Sequence, residues 1–405
     1  MTLRNVNEIK QGETLIPVSE AERVRLINGN RELYNGNLRS LGVDDYNDDG
    51  LPSIKVNWFR RMATFYPEFM LAERPIINIR GNARFQEFIE EGSRDLWSQI
   101  LYANIDMLRY GSGIITTHPD DPLTLLAFTP DTHFMVESRQ GVPTADLFYT
   151  IRGDAASDDA QLDLYIYYVD GKSQLKTHKF QAGIVGPLLR SEDLPKRSGR
   201  QLAEFVSNRE HASVFDDIKP MIGELSRTLT SMSSSIRRNL RPHLYGPDGV
   251  VVIDESGNAE IDIKGMYFPL HEGDTPPDYI QWDTKLDAVS YNVETNIDMA
   301  LNMAGLNRLL FDPTVNTGDL SGVALRRLLL PFTAKLNQYK EVNDRAILQI
   351  LDMVNQNNAA MGGELFQYNN RDVSIEWKYE EVFMDEMINQ DGVEVAERPN
   401  TSGTE

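Results

Sequence analysis

Residues 214–240 read VFDDIKPMIGELSRTLTSMSSSIRRNL. Val214, Ile218, Met221, Leu225, Leu229, Met232, Ile236 and Leu240 recur at steps of three and four. That is the repeat of a helix with one apolar face. The stretch predicts a single amphipathic helix of about 30 residues, hence about 45 Å at 1.5 Å per residue. Pro220 should kink it or mark its true start, and Pro242 should end it. Ser231, Ser233, Ser234 and Ser235 give it one narrow side. Such a side suits close approach of a neighbouring helix or, equally, solvent.

The chain downstream is short of regular period and then helical again. Residues 242–282 hold Gly246-Pro247-Asp248-Gly249, a strand pattern at 250–254, the turn Glu255-Ser256-Gly257-Asn258, a strand pattern at 259–263 and a Pro-rich return. A second helix is predicted over 284–304, with Leu286, Val289, Val293, Ile297 and Leu301 on its apolar face. From Leu225 to Arg241 there are four arginines (227, 237, 238 and 241) and no acid, and from Asp283 to Asp298 there are four acids (283, 287, 294 and 298) against Lys285. If the insert folds the chain back, the two helices run antiparallel with complementary charge. Exposed pairs are worth about 1 kcal/mol or less, so the pattern argues for register more than stability. An irregular segment, 307–319, follows, and then a third helix over 321–354 interrupted by Pro331.

Upstream, a helix is predicted near 19–38, then the turn Asp44-Asp45-Tyr46-Asn47-Asp48-Asp49-Gly50. Asp45, Asn47, Asp49 and Gly50 match the first half of a calcium loop, but its twelfth position is Val56 rather than Glu. An Asx-rich turn is the reading taken. Helices are predicted over 54–72, bent or ended early by Pro67, and over 83–110, stopped by Gly111 and Gly113. Short β-branched and aromatic runs at 114–117, 124–128, 133–137, 146–152, 163–169 and 174–180, parted by turns, predict an antiparallel meander. Residues 190–207 read as a polar exit, 365–368 and 373–379 as strands, and 381–405 as a short disordered tail. The fold class is α+β.

Composition narrows the function. Apolar residues make up 41 % of 405, enough for a real core, and there is no cysteine, so disulfides and thiolate metal sites are excluded. No apolar run is long enough to span a membrane, and the N-terminus lacks the apolar core of a signal peptide, so synthesis in a cytoplasm is expected. With 40 basic and 61 acidic side chains, the formal charge is −21. That opposes gripping DNA through the overall field, which needs Lys and Arg against phosphates. It does not oppose a conduit whose wall must not stick to DNA, though an acidic surface also simply keeps a protein soluble. The six histidines have no metal-ligand spacing, and no phosphate loop, G-x-G-x-x-G or G-x-S-x-G is present. No catalytic residue, metal or cofactor is expected.

The order of parts resembles that of tailed-bacteriophage portal proteins. The resemblance runs over residues 50–380 and is most specific at 296–330, around Gly318-Asp319-Leu320-Ser321-Gly322-Val323-Ala324-Leu325, where in that family a loop precedes Ser-Gly-(Val/Ile)-Ala and a long kinked helix. A second point of likeness is 105–131, a helix ending at Tyr110-Gly111-Ser112-Gly113 with strands leading to Phe128-Thr129-Pro130-Asp131.

The resemblance implies an α/β wing from residues 1–206 and 320–380, a two-helix stem from 207–241 and 283–306, a small β-containing clip at 242–282 and a tunnel loop at 307–319. The crown would be short or absent. It further implies a non-enzymatic, dodecameric ring at one capsid vertex of the virion. Double-stranded DNA would pass through, and the terminase large subunit, a head–tail adaptor, and the major capsid and scaffolding proteins would be its partners. Arg308, Val315, Asn316, Thr317, Arg326 and Arg327 are the candidates for the channel, and Tyr267, Phe268 and Tyr279 for docking at the clip. The arginines have a competing reading, pairing with acids of neighbouring subunits. The three aromatics have one too, filling the clip's own core. Another phage ring component, such as a head–tail adaptor or baseplate protein, remains an alternative. So, more remotely, does an acidic enzyme.

Overall fold

The computed structural model describes residues 3, 5–47, 50–92, 95–118, 121–154, 157, 159–196, 201–207, 211–239, 243–245, 251–253, 259–261, 278–280, 286–311 and 322–379. The chain is α+β, and its helices lie on both sides of the sheet region in sequence. Upstream are α1 (Ala21–Tyr34), α2 (Trp58–Met70), α3 (Ala83–Gly92) and α4 (Leu96–Tyr110). Downstream are α5 (Val214–Asn239), α6 (Leu286–Met303) and α7 (Gly322–Ala360).

One hydrophobic core joins the two ends. Phe59, Met62 and Tyr66 of α2, Ile100 and Met107 of α4, Phe215 and Ile218 of α5, Ala300 of α6 and Phe332 and Ile347 of α7 are all buried in it. Two buried asparagines fix α4 against α7: Asn104 donates to Asn343 Oδ1 at 2.7 Å and Asn343 donates back to Asn104 Oδ1 at 2.9 Å. A short antiparallel pair, β1 (Ile76–Ile79) with β14 (Val373–Glu376), ties the same two ends by backbone hydrogen bonds. Residues 322–379 are thus part of the N-terminal body rather than a separate domain.

The sheet region follows α4. Gly111 caps that helix in the left-handed conformation, φ 90°, and Gly113 already belongs to β2 (Ser112–His118). β2 is central between β3 (Asp121–Phe128) and β9 (Ala203–Val206). Five strands then form the meander: β4 (His133–Glu137), β5 (Pro143–Arg152), β6 (Gln161–Tyr168), β7 (Ser173–Gln181) and β8 (Ile184–Asp193). Every neighbouring pair is antiparallel. The N-terminus blunts both edges: Leu3 bonds to Met135 and Glu137 beside β4, and residues 12–15 bond to Gly183 and Val185 beside β8.

Several expectations change. The helix expected over 83–110 is two, α3 and α4, broken after Gly92, where a residue of poor helix propensity meets Ser93. Residues 365–368 are not a strand. Asn355 takes both backbone groups of Phe366, at 2.9 Å each, and leaves nothing for a ladder. β1, β8 and β9 lie in stretches given no strand pattern above. α5 starts at Val214, before Pro220, because Ser213 and Asp216 form a reciprocal cap: Phe215 N donates to Ser213 Oγ and Ser213 N to Asp216 Oδ2. α7 runs through Pro331 without a break.

α5 and α6 make a hairpin. Two short ladders sit between them in sequence, β10 (His243–Tyr245) with β13 (Asp278–Ile280) and β11 (Val251–Ile253) with β12 (Ala259–Ile261), both antiparallel. The outer ladder brings the end of α5 beside the start of α6, so the helices run antiparallel. A row of small hydroxyls on α5 carries the chain after α1. Val56 N donates to Ser226 Oγ (3.5 Å), Ile54 N to Thr230 Oγ1 (2.9 Å) and Asn47 Nδ2 to Ser234 Oγ (2.6 Å). Ser234, read above as a side for a neighbouring helix or for solvent, is covered by this chain's own turn.

Two outcomes test this packing. Thr230→Val keeps the shape but strips Ile54 N–H of its acceptor, and should cost about 1–3 kcal/mol in urea denaturation, whereas Thr230→Ser should cost far less. Asp106 of α4 is buried with its carboxylate 3.1 Å from Arg109, and burial, opposed by Arg109, pushes it up to about 7. Its folded value lies above the unfolded one, so its stabilising contribution is complete at low pH and is lost as pH rises towards 7. Asp106→Asn does not titrate, so the stability of the variant relative to wild type should rise from pH 5 to pH 8. A difference that is flat or falls over that range would mean that Asp106 is ionised in the fold.

Candidate functional site

α6 ends in a Schellman turn. Leu306 N donates to Leu301 O at 2.8 Å, Gly305 N donates to Asn302 O at 3.0 Å, and Gly305 sits at φ 74°. A side chain there would also meet Lys335 and the Tyr66 hydroxyl. Tyr66 OH donates to Ala304 O at 3.0 Å, deep in the core, and burial raises its phenol far above the ordinary tyrosine range. The chain then makes a single 3-10 turn, Arg308–Leu310, capped by Asn307 Oδ1 accepting from Leu309 N at 3.0 Å. Phe311 packs on Phe65 with ring centroids 4.8 Å apart, and the Arg61 guanidinium lies over the Phe311 ring. Asn307 also donates to Leu328 O of α7 at 3.4 Å. The base of segment 307–319 is therefore clamped from α2, α6 and α7 together.

Among the proposed channel residues, Arg308 is placed in this turn. Its Nε lies 4.0 Å from Asp298 Oδ1 of α6, with both side chains about half exposed. The acid that faces it is in the same chain, ten residues earlier. Such a pair is weak and salt-sensitive. Arg327 is an exposed residue of α7. Arg326 lies in α7, and its side chain is outside the described residues. Val315, Asn316, Thr317, Tyr267 and Phe268 also lie outside the described residues. Tyr279 is in β13, where its backbone is paired with Leu244 of β10.

The outer face of α6 is polar and acidic. Val289, Val293, Ile297 and Ala300 turn towards α5, and at about 100° per residue Asp287, Tyr291, Glu294 and Asp298 fall on the opposite side. Asp287, Tyr291 and Glu294 are exposed. The ion pairs of the two helices among the described residues stay within a helix or reach the next turn: Asp216–Lys219, Glu224–Arg227 and Asp298–Arg308. Arg227 also donates to Leu41 O at 2.6 Å. The complementary charge read across the hairpin is therefore not realised as bridges between α5 and α6 among those residues.

The acidic turn has a structural use. Arg39 and Lys55 both hydrogen-bond the Asp45 carboxylate, and those bonds hold it below the usual carboxylate range. Asn47 Oδ1 accepts from Leu51 N at 2.9 Å, closing an Asx turn. Among the described residues no group of three or more His, Asp or Glu is placed to hold a metal ion, and no helix is long and apolar enough to cross a membrane.

No protein-family model and no curated protein matches this chain. Solved structures with a similar trace include a chain of the virion of a native gene transfer agent particle, at TM-score 0.46 and 12 % identity, covering 95 % of this chain and 92 % of that one. Another is a chain from the neck of the native gene transfer agent particle with C12 symmetry, also at TM-score 0.46 and 12 % identity, covering 96 % of each. Likenesses this remote carry no argument about what the chain does.

Gly305→Ala places an alanine in the left-handed region against Lys335 and Tyr66, and should lower stability by about 1–2 kcal/mol in thermal or urea unfolding. An unchanged midpoint would mean that the turn after α6 is not held as described.

Proposed function

We propose that this chain is one subunit of a ring-shaped portal at a phage capsid vertex, a conduit for double-stranded DNA whose work is mechanical rather than catalytic. The observation that carries the reading is the α5–α6 hairpin, tipped by small antiparallel ladders and rooted in the core that α2, α4 and α7 share. In this reading residues 207–241 and 283–306 are the stem, 242–282 the clip, 307–319 the tunnel loop, and 1–206 with 320–380 the wing.

The face of α6 opposite α5 then lines the channel. Asp287, Glu294 and Asp298 suit that place, because DNA must slide without adhering and strong phosphate contacts would trap it. Asp298 beside Arg308 reduces the attraction that a ring of free arginines would exert. The segment 307–319 would then form the narrowest level, with the clamp at Asn307–Phe311 supporting its base, and Val315, Asn316 and Thr317 are small and uncharged, which suits contact with sliding DNA. The clip would dock the terminase large subunit and later a head–tail adaptor, through Tyr267, Phe268 and Tyr279. The wing would meet capsid and scaffolding proteins.

Electron microscopy of the purified chain should show a closed ring with a central hole. A monodisperse monomer at high concentration would count against the proposal. In a packaging assay Asn316→Trp and Thr317→Glu should lower packaged DNA severalfold with rings intact. Charge reversals in 242–282 should abolish terminase binding, again with rings intact. Normal packaging by the loop variants would remove the tunnel-loop assignment.

A further inference from the structure

Building on the ring reading, we infer that the copies join head to tail through Tyr46 of one copy and a groove beside α5 of the next. The groove, about 280 Å³, is lined by Thr228, Ser231, Met232 and Ser235 of α5 and Val289 of α6, with the Glu224–Arg227 ion pair at its other end. It lies on a different side of α5 from the hydroxyl row. At about 100° per residue, the positions 228, 231 and 235 are about 130° around the helix from 226, 230 and 234. The hydroxyl side is covered by this chain's own 47–56 segment, and Tyr46, at the end of that segment, is 64 % exposed. Two different surfaces on two sides of one helix are what a head-to-tail contact requires.

Height decides the match. Asn47 is hydrogen-bonded to Ser234, so Tyr46 stands level with the end of the groove at Ser235 and Val289. Copies related by rotation about an axis along the hairpin keep their heights, so the Tyr46 of each copy arrives level with its neighbour's groove. Charge favours the same contact. Exposed Asp44 precedes Tyr46, and exposed Arg237 lies just beyond the end of the groove at Ser235, whereas Asp45 and Arg227 are already paired within the chain. An aromatic side chain entering a groove at its Ser231–Ser235 end, with Asp44 on one side of the contact and Arg237 on the other, has the composition of an interface anchor.

The chain has no cysteine, so a cross-link test is clean. Tyr46→Cys and Ser235→Cys are made as separate full-length variants, co-assembled and oxidised. The expected result is a disulfide-linked dimer from the mixture and none from either variant alone. Tyr46→Ala should lower the fraction of chains in rings severalfold, with an unchanged unfolding midpoint. Rings that form without the mixed cross-link, or a cross-link from one variant alone, would overturn this contact and leave the ring reading standing. Absence of rings from the wild-type chain would overturn both.

Discussion

Much of this structure depends on three faces of α5, each of which binds something different. The apolar face, with Phe215, Ile218, Ile222 and Leu225, is buried, the first three of these in the main core. Further along the helix, the same side meets α6. A second face presents Ser226, Thr230 and Ser234, one turn apart, to the chain at 47–56. Ile54 and Val56 carry backbone N–H groups that would otherwise lack these acceptors, and Asn47 adds its side-chain amide. A hydroxyl every fourth residue supplies acceptors at helical spacing, and small side chains let the backbone come close enough to use them. Thr230 also donates to Ser226 O at 2.8 Å, so its hydroxyl serves both neighbours. The third face remains open and polar.

The same economy of buried polar groups recurs wherever distant parts of the chain meet. Asn104 and Asn343 satisfy each other between α4 and α7, and Asn355 clamps the backbone of Phe366. Arg23 spends its guanidinium on Glu20 and on the carbonyls of Pro130 and His133, which pins α1 to the first strand of the meander. The Asn104–Asn343 pair and the bonds of Arg23 to Pro130 and His133 join residues far apart in sequence. Each would leave a buried donor or acceptor unpaired if the elements shifted by one turn, so they fix position more than they add stability.

That explains which parts were legible from the amino acids alone. The helices with a strong apolar period, α2, α4, α5, α6 and α7, were readable because burial of one face imposes the period. Strands β2 to β7 and the paired strands β11 and β12 were readable for the same kind of reason. What could not be read depends on partners outside the local window. β8 carries exposed Leu188 and Leu189 and shows no alternation, because it is an edge strand defined by β7. β1 exists through β14, almost 300 residues away in sequence. Arg308 meets Asp298 only because the Schellman turn at Gly305 reverses the chain, and a separation of ten residues is no helical spacing. The cap on α5 was visible as Ser213-Val214-Phe215-Asp216, but Pro220 drew attention to the wrong boundary.

Charge is the last constraint, and it acts at two ranges. At −21 per copy, identical chains repel one another at a distance, and a ring sums that repulsion. Screening confines most of it to about 8 Å at physiological ionic strength, so the local arrangement of signs decides whether two surfaces close. Here many basic groups are spent inside the chain: Arg23 on Glu20, Arg31 on Asp131, Arg109 on Asp106, Arg227 on Glu224. The acids left over gather on particular faces, among them the outer side of α6. Two such chains come together most readily where an arginine not used inside one chain meets acids of the other and the carboxylate faces stay in solvent. If the chain forms the ring proposed above, an acidic wall of that kind would not hold a polyanion, and a polymer that is not held can be moved through it in either direction.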